Sequence, residues 1–307
     1  MTEHVLVIGE ALVDVVVRGD GTRDLHPGGS PANVALGLAR LGREVDLLTH
    51  LGLDAHGVLV ADHLQDNGVH LVPGSAGPGP TSVATATLDE SGAATYDFAL
   101  DWDIAPGVRM RQQPLAVHTG SIAAVIEPGA TAVHRLVKVL RYHSTITYDP
   151  NARPALMGEP AAARGAVERF VALADVVKAS DEDLAWLAPG EAVDDVARAW
   201  AGSGPAIVVV TRGGEGATAF VHDGREVSVA APRVTVADTV GAGDSFMSGI
   251  IDGLWDEALL GGSRREALRA ISDTQLTAVL DRCARIGAIT VSRPGANPPT
   301  REELNRA

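Results

Sequence analysis

The chain has 307 residues, 46% of them hydrophobic, with 34 glycines and 17 prolines, which fits a turn-rich globular protein and excludes a chain disordered along its whole length. Acidic residues number 39 against 25 basic ones, for a formal charge of -14. Such a field repels nucleic acid and anionic membrane, and no basic run overrides it. One cysteine, Cys283, leaves no intrachain disulfide and no multi-cysteine metal site. The N-terminus shows no basic region or cleavage site, and no apolar run reaches the roughly 18 residues of a membrane span, so the expected compartment is the cytoplasm.

Short β-branched runs alternate with stretches of helical period, the pattern of an α/β fold on a mostly parallel sheet. Residues 5–9 predict a buried strand. A helix over 31–41 sets Val34, Leu38 and Leu41 at helical spacing and closes at Gly42. A second strand over 45–49 precedes a helix over 55–66 that stops at Asn67-Gly68. Between about 69 and 107 the pattern changes: 81–88 alternate small and polar residues, Asp89-Glu90-Ser91-Gly92 reads as a turn, and 94–98 resume an extended run. Such a hairpin fits badly inside a parallel sheet and predicts a small β lid, joined by the extended run 13–18. Strands are then expected at 116–119, 145–148, 176–178 and 207–211, followed by a hairpin of 217–222 and 226–230 around Asp223-Gly224. Helices over 241–255 and 273–289 end the chain. The expectation is one domain, 1–307, with a lid formed by about residues 12–27 and 79–103.

The stretch Asp238-Thr239-Val240-Gly241-Ala242-Gly243-Asp244 carries the most chemistry. Small residues where a helical pattern begins (Phe246, Ile250, Leu254) leave backbone N–H groups unpaired at the positive end of a helix dipole, an anion hole suited to a phosphoryl group in transfer. Asp244 then has two readings. It is a helix-capping carboxylate, or it is a general base that takes the proton of an attacking hydroxyl.

This motif resembles the hallmark of ribokinase-like (PfkB-type) sugar kinases. Their second motif is matched by Gly28-Gly29-Ser30-Pro31-Ala32-Asn33-Val34-Ala35. The resemblance covers nearly the whole chain and implies a doubly wound α/β domain with a β lid over a sugar. It makes Asp244 the base and Gly241, Ala242 and Gly243 the anion hole. Asp14 and Asn33 would bond sugar hydroxyls, and Gly28 and Gly29 would let the backbone approach the ring. ATP would meet Thr211, Gly213 and Gly216, in a loop similar to the family's nucleotide loop, together with Lys178, Arg153 and Asn297. Ser180-Asp181-Glu182-Asp183 departs from the family's Asn-x-x-Glu, and Asp183 becomes the candidate for Mg²⁺, held through water. Asp238 borders a candidate monovalent-cation (K⁺) site.

Two other motifs are excluded. The Gly214-x-Gly216-x-x-Ala219 fingerprint precedes a hairpin and not a helix, which argues against a dinucleotide site. The two lysines, Lys138 and Lys178, each follow valine, which excludes a Walker A loop. His118-Thr119-Gly120-Ser121, Asp149-Pro150-Asn151-Ala152-Arg153 and the segment 178–184 resemble fructokinase-like members and imply fructose as acceptor. Tyr96-Asp97-Phe98-Ala99-Leu100-Asp101 lacks the arginine that many of them carry there, which leaves ribose, 2-keto-3-deoxygluconate or a nucleoside open. Because fold alone does not determine function, a sugar or nucleotide sensor on the same fold is a further alternative, against which the intact Asp244 and glycines weigh. An exposed lid edge would favour a homodimer.

Overall fold

In the strand β1 (Val5–Ile8), Val5 and Val7 point to one face and Leu6 and Ile8 to the other, all fully buried, so the strand needs cover on both sides. The computed structural model describes residues 3–88, 94–105, 107–108 and 110–306, and in it that cover is complete. A nine-stranded sheet runs β15 (Glu226–Val229), β14 (Ala217–Val221), β13 (Ile207–Thr211), β12 (Val176–Ser180), β11 (Thr145–Asp149), β10 (Ala116–Gly120), β1, β4 (Val45–Leu48), β6 (Val69–Leu71). Neighbours are parallel except around β14, which is antiparallel to β13 and β15. From β1 the chain winds out through β4 to β6, then returns to β10 on the other side of β1 and winds the opposite way. The carboxyl ends of β1 and β10 therefore frame the crevice where strand order reverses, the usual ligand position in such sheets.

On the Val5 face pack α1 (Ser30–Arg40), α2 (Ala55–Asp66), α8 (Ala242–Asp256), α9 (Arg265–Arg269) and α10 (Asp273–Val291). The Leu6 face is covered by α3 (Gly129–Leu140), α4 (Pro154–Met157), α5 (Pro160–Val171), α6 (Asp181–Leu187) and α7 (Val193–Ala201). Helix α11 (Arg301–Arg306) closes a small cluster of Leu304, Leu41 and Ile286. The doubly wound expectation holds.

The second sheet has the order β3 (Arg23–Gly28), β2 (Leu12–Val17), β8 (Val83–Leu88), β9 (Ala94–Ala99). The expected hairpin is its antiparallel β8–β9 pair, and the run after β1 joins it by pairing parallel to β8. The predicted turn Asp89-Glu90-Ser91-Gly92 lies outside the described residues. Strand β3 falls almost wholly within the expected lid segment 12–27, but the sequence predicts no strand there because RDLHPG lacks alternation and holds Pro27, which an edge strand tolerates. Too short for any period to register were β6 and the parallel pair β5 (Leu51–Gly52) with β7 (Ala76–Gly77).

One buried charge ties the helices together. Asp252, fully buried in α8, accepts from Arg43 Nε at 2.7 Å, from Arg282 Nη1 at 3.0 Å and from Arg301, so the loop after α1, then α10 and α11, all anchor the helix that begins at the anion-hole motif. No helix among the described residues is long and apolar enough to cross a membrane.

Candidate active site

Two helix starts meet at the crevice. Helix α8 begins at Gly241 (φ 74°) and α1 at Gly29 (φ 104°), and neither has a side-chain cap. The Ala242 N–H donates to the Thr239 carbonyl at 3.2 Å, while the N–H groups of Gly243 and Asp244 in the first turn of α8 meet no partner among the described residues and are left for a ligand. Positive φ suits glycine at both positions, and at Gly29 a side chain would also strike the Glu10 carbonyl at 2.6 Å.

Asp244, in the first turn of α8, is 8% exposed. Its Oδ1 accepts from Ser30 Oγ at 2.7 Å and its Oδ2 from Asn33 Nδ2 at 2.8 Å. Two donors from α1 thus fix the plane of the carboxylate while each oxygen keeps a lone pair. Such an arrangement can take a proton from a hydroxyl held above it.

Asp244 opens on a cavity of about 330 Å³ lined by Glu10, Asp14, Gly29, Asn33, Ser121, Asn151, Arg153, Gly241 and Gly243, with Leu12, Ala84 and Phe98 of the small sheet and Leu100 just after it as an apolar wall. That is a small-molecule volume. Burial pushes the Glu10 carboxyl up to about 7, against the opposing pull of Ser121 and Arg153. Burial also raises Asp14, opposed by His26 and Arg153. Gly28 lines up here for a packing reason: a Cβ would fall 2.0 Å from Asp14 Oδ2. Two non-glycine residues at the rim, Ser121 (φ 53°) and Asn151 (φ 36°), are held in the left-handed region, a strain that clusters at binding sites.

Beneath the start of α8 the sheet face turns polar. His118, Thr147, Asp149 and Lys178 lie on adjacent strands β10, β11 and β12, all buried. Lys178 Nζ donates to Asp149 Oδ2 at 2.7 Å, and a Cβ on Gly243 would fall 2.9 Å from that ammonium. The lysine's charge therefore sits directly under the anion-hole backbone. Burial works to lower the Lys178 pKa, but the Asp149, Asp183 and Asp244 carboxylates outweigh it and hold it above the ordinary value. Burial raises Asp149 to about 6 even though Lys178 pulls the other way.

His118 shares a hydrogen bond with Thr147 Oγ1 (3.1 Å), and burial, with the Lys178 charge, pushes its pKa from 6.5 down to about 3. The unfolded chain takes up this proton below pH 6.5 and the folded one does not until about 3, so the contribution of His118 to stability is lost as pH falls through that window. The raised Asp149 and Glu10 carboxyls act in the opposite direction over part of the range, so the comparison must be with a variant. The stability gap between wild type and His118→Gln, read from urea midpoints, is expected to shift against wild type by about 1.4 kcal/mol per pH unit below 6.5. A gap constant from pH 7 to 4.5 would rule out a buried neutral His118.

The other sequence candidates are arranged differently. Thr211 ends β13, in register with Ser180 of β12, and Gly213 and Gly216 follow it along the same carboxyl edge, but none of the three lines the cavity around Asp244. Arg153 reaches the cavity while its Nη1 bonds Asn151 Oδ1 at 2.7 Å. Asn297 accepts from Arg40 at 2.6 Å and its neighbour Ala296 packs on Gly241. Asp183 closes a capping box on α6: its Oδ2 accepts from Ser180 N at 2.9 Å and its Oδ1 from Ala152 N at 2.7 Å. Asp238 accepts from Val240 N at 3.0 Å and Gly295 N at 2.8 Å, bonds that lower its pKa. Lys178, expected at the nucleotide phosphates, is 3% exposed. Sequence reasoning assigned no role to Ser30, Glu10, Ser121 or Asp149. Ser30, Ser121 and Asp149 each stand inside a motif quoted for the family resemblance but carry no role there, and Glu10 is marked only by being a lone charge directly after a buried strand.

The family model described as "pfkB family carbohydrate kinase" matches residues 2–303. A fructokinase of Rhizobium leguminosarum bv. trifolii is 33% identical over 266 residues, 83% of this chain and 81% of that protein. The crystal structure of a fructokinase with bound ATP from Xylella fastidiosa superposes with a TM-score of 0.85 at 23% identity, covering 100% of this chain and 98% of that one. A fructokinase double mutant from Vibrio cholerae O395, bound to fructose, ADP and a potassium ion, has a TM-score of 0.76 at 24% identity over 99% and 95% of the two chains.

Proposed function

This chain belongs to the pfkB family of carbohydrate kinases, and from that premise we propose that it transfers the γ-phosphoryl group of ATP to a hydroxyl of fructose. The observation that carries the reading is the Asp244 carboxylate, held by Ser30 and Asn33 at the uncapped start of α8 and open to a sugar-sized cavity. Asp244 takes the proton of the attacking hydroxyl, and the N–H groups around Gly241, Ala242, Gly243 and Asp244 receive the charge of the transferring group. Asp14 and Asn33 hold sugar hydroxyls, and the backbone at Gly28 and Gly29 approaches the ring. The small sheet closes over the sugar and excludes water, which limits ATP hydrolysis. Fructose is favoured over other acceptors by the 33% identical fructokinase.

ATP lies along the carboxyl edge of the sheet, toward Thr211, Gly213 and Gly216, with Arg153 on the phosphate side and Asn297 near the adenine loop. Phosphoryl transfer requires a divalent cation to neutralise charge on the nucleotide. Among the described residues no group of three or more His, Cys, Asp or Glu side chains fits a metal ion, and Asp183 already accepts two backbone N–H groups. The described residues therefore form no direct cage for Mg²⁺. Asp183 would contact Mg²⁺ through water, and Asp238 would border a K⁺ site. Pairing of two copies through an edge of the small sheet, where Tyr96 is exposed, and a cytoplasmic location complete it.

The test is ATP-dependent ADP release, with Mg²⁺ and K⁺, over fructose, ribose, 2-keto-3-deoxygluconate and nucleosides. Fructose is expected to give the highest kcat/KM. A higher value for another acceptor would replace fructose, and silence across the panel would overturn the kinase reading.

A further inference from the structure

We infer that Glu10 is a specificity-determining residue of this same cavity: its carboxylate accepts a hydroxyl of a neutral sugar and disfavours anionic sugars. The inference rests on the sugar-kinase reading above and adds a residue that none of the motifs assigns. Glu10 stands one residue beyond Gly9 at the carboxyl end of β1, beside Ser121 at the end of β10, where strand order reverses. Its side chain is 4% exposed and lines the cavity. Its Oε2 is buried and has no hydrogen-bond partner among the described residues, a state that native proteins rarely leave without a ligand or water to relieve it.

The charge around it gives the ligand's class. The described residues lining the cavity bring three carboxylates, Glu10, Asp14 and Asp244, against one cation, Arg153. That cation already donates to Asn151 Oδ1 and to the carbonyls of Asn151 and Ala152. A polyol can donate a hydroxyl to each carboxylate. A sugar carrying its own carboxylate or phosphate at the Glu10 end would meet like charge in a poorly solvated space. Burial holds Glu10 near neutrality's edge, and a donated hydroxyl favours its ionised form.

The experiment uses Glu10→Gln, which keeps shape and removes the charge. Wild type is assayed first on fructose and 2-keto-3-deoxygluconate, which tests the kinase reading independently; if it phosphorylates neither and binds neither, that reading and this inference fall together. With an active wild type, Glu10→Gln is expected to raise the KM for fructose about tenfold or more while the KM for ATP stays within about twofold. The preference for fructose over the sugar acid, as a ratio of kcat/KM values, is expected to fall about tenfold. A merely structural role would leave that ratio unchanged, and an unchanged ratio or fructose KM overturns the inference while the kinase reading stands. Should Glu10→Gln not fold, Glu10→Asp keeps the charge but withdraws it by one methylene. It is expected to raise the fructose KM alone, and a wild-type KM there overturns the inference equally.

Discussion

Asp244→Asn is expected to lower kcat by about 10²–10⁴-fold, the usual contribution of a positioned general base, while the dissociation constant for fructose changes only a few fold. The geometry makes the substitution a narrow one. Asn has the same shape as Asp, and the two donors that hold Asp244, Ser30 Oγ and Asn33 Nδ2, can adapt: the hydroxyl rotates, and the Asn33 amide can turn to present its oxygen. The α1–α8 contact therefore survives, and with it the anion hole and the apolar wall of the small sheet. What is lost is the ability to accept a proton when the hydroxyl attacks. Steady-state kinetics with a parallel calorimetric titration of fructose separates the two effects. Turnover within a few fold of wild type would reduce Asp244 to an anchor between two helix starts, and sugar binding lost together with turnover would assign it to recognition.

Local chemistry was readable from the sequence, and contacts across strands were not. The small-residue turn before Phe246, Ile250 and Leu254 announced an anion hole because glycine, alanine and helical spacing lie together in the chain. The α/β alternation announced a parallel sheet for the same reason. The partnership of Asp149 and Lys178 depends on the β11–β12 register, in which Tyr148 faces Val177, and no linear spacing encodes that. Glu10 is a single acidic residue after a strand; only the return of β10 beside β1, which brings Ser121 and the cavity, gives it a role. Asp183 shows the converse. Ser180-x-x-Asp183 has the spacing of a capping box at the start of a helix, so the structural role it adopts was already written locally, while the resemblance drew attention to a metal.

Lys178→Met is expected to destabilise the fold by about 3–5 kcal/mol, since it removes one partner of a buried pair and leaves the other charge alone. Asp149 is fully buried, and without Lys178 its remaining bond among the described residues is from the Asn151 N–H at 3.1 Å. Its carboxyl, already at about 6, loses the cation that opposes burial and rises further toward protonation at neutral pH. Replacing both residues with apolar ones, Lys178→Met with Asp149→Leu, removes the orphaned charge and is expected to return most of the lost stability, as buried pairs exchanged for packing usually do. Activity is expected to follow a different course. The ammonium lies under Gly243, close enough that a Cβ there would be 2.9 Å away, and inside the protein its field reaches the anion hole with little screening. Both variants are therefore expected to lose about 10²-fold in kcat, the scale of one preorganised electrostatic element, including the double variant whose urea midpoint has recovered. Recovery of kcat along with stability in the double variant would make the pair a scaffold and nothing more. Recovery of stability without kcat would identify the lysine as the charge that the α8 backbone transmits to the phosphoryl group.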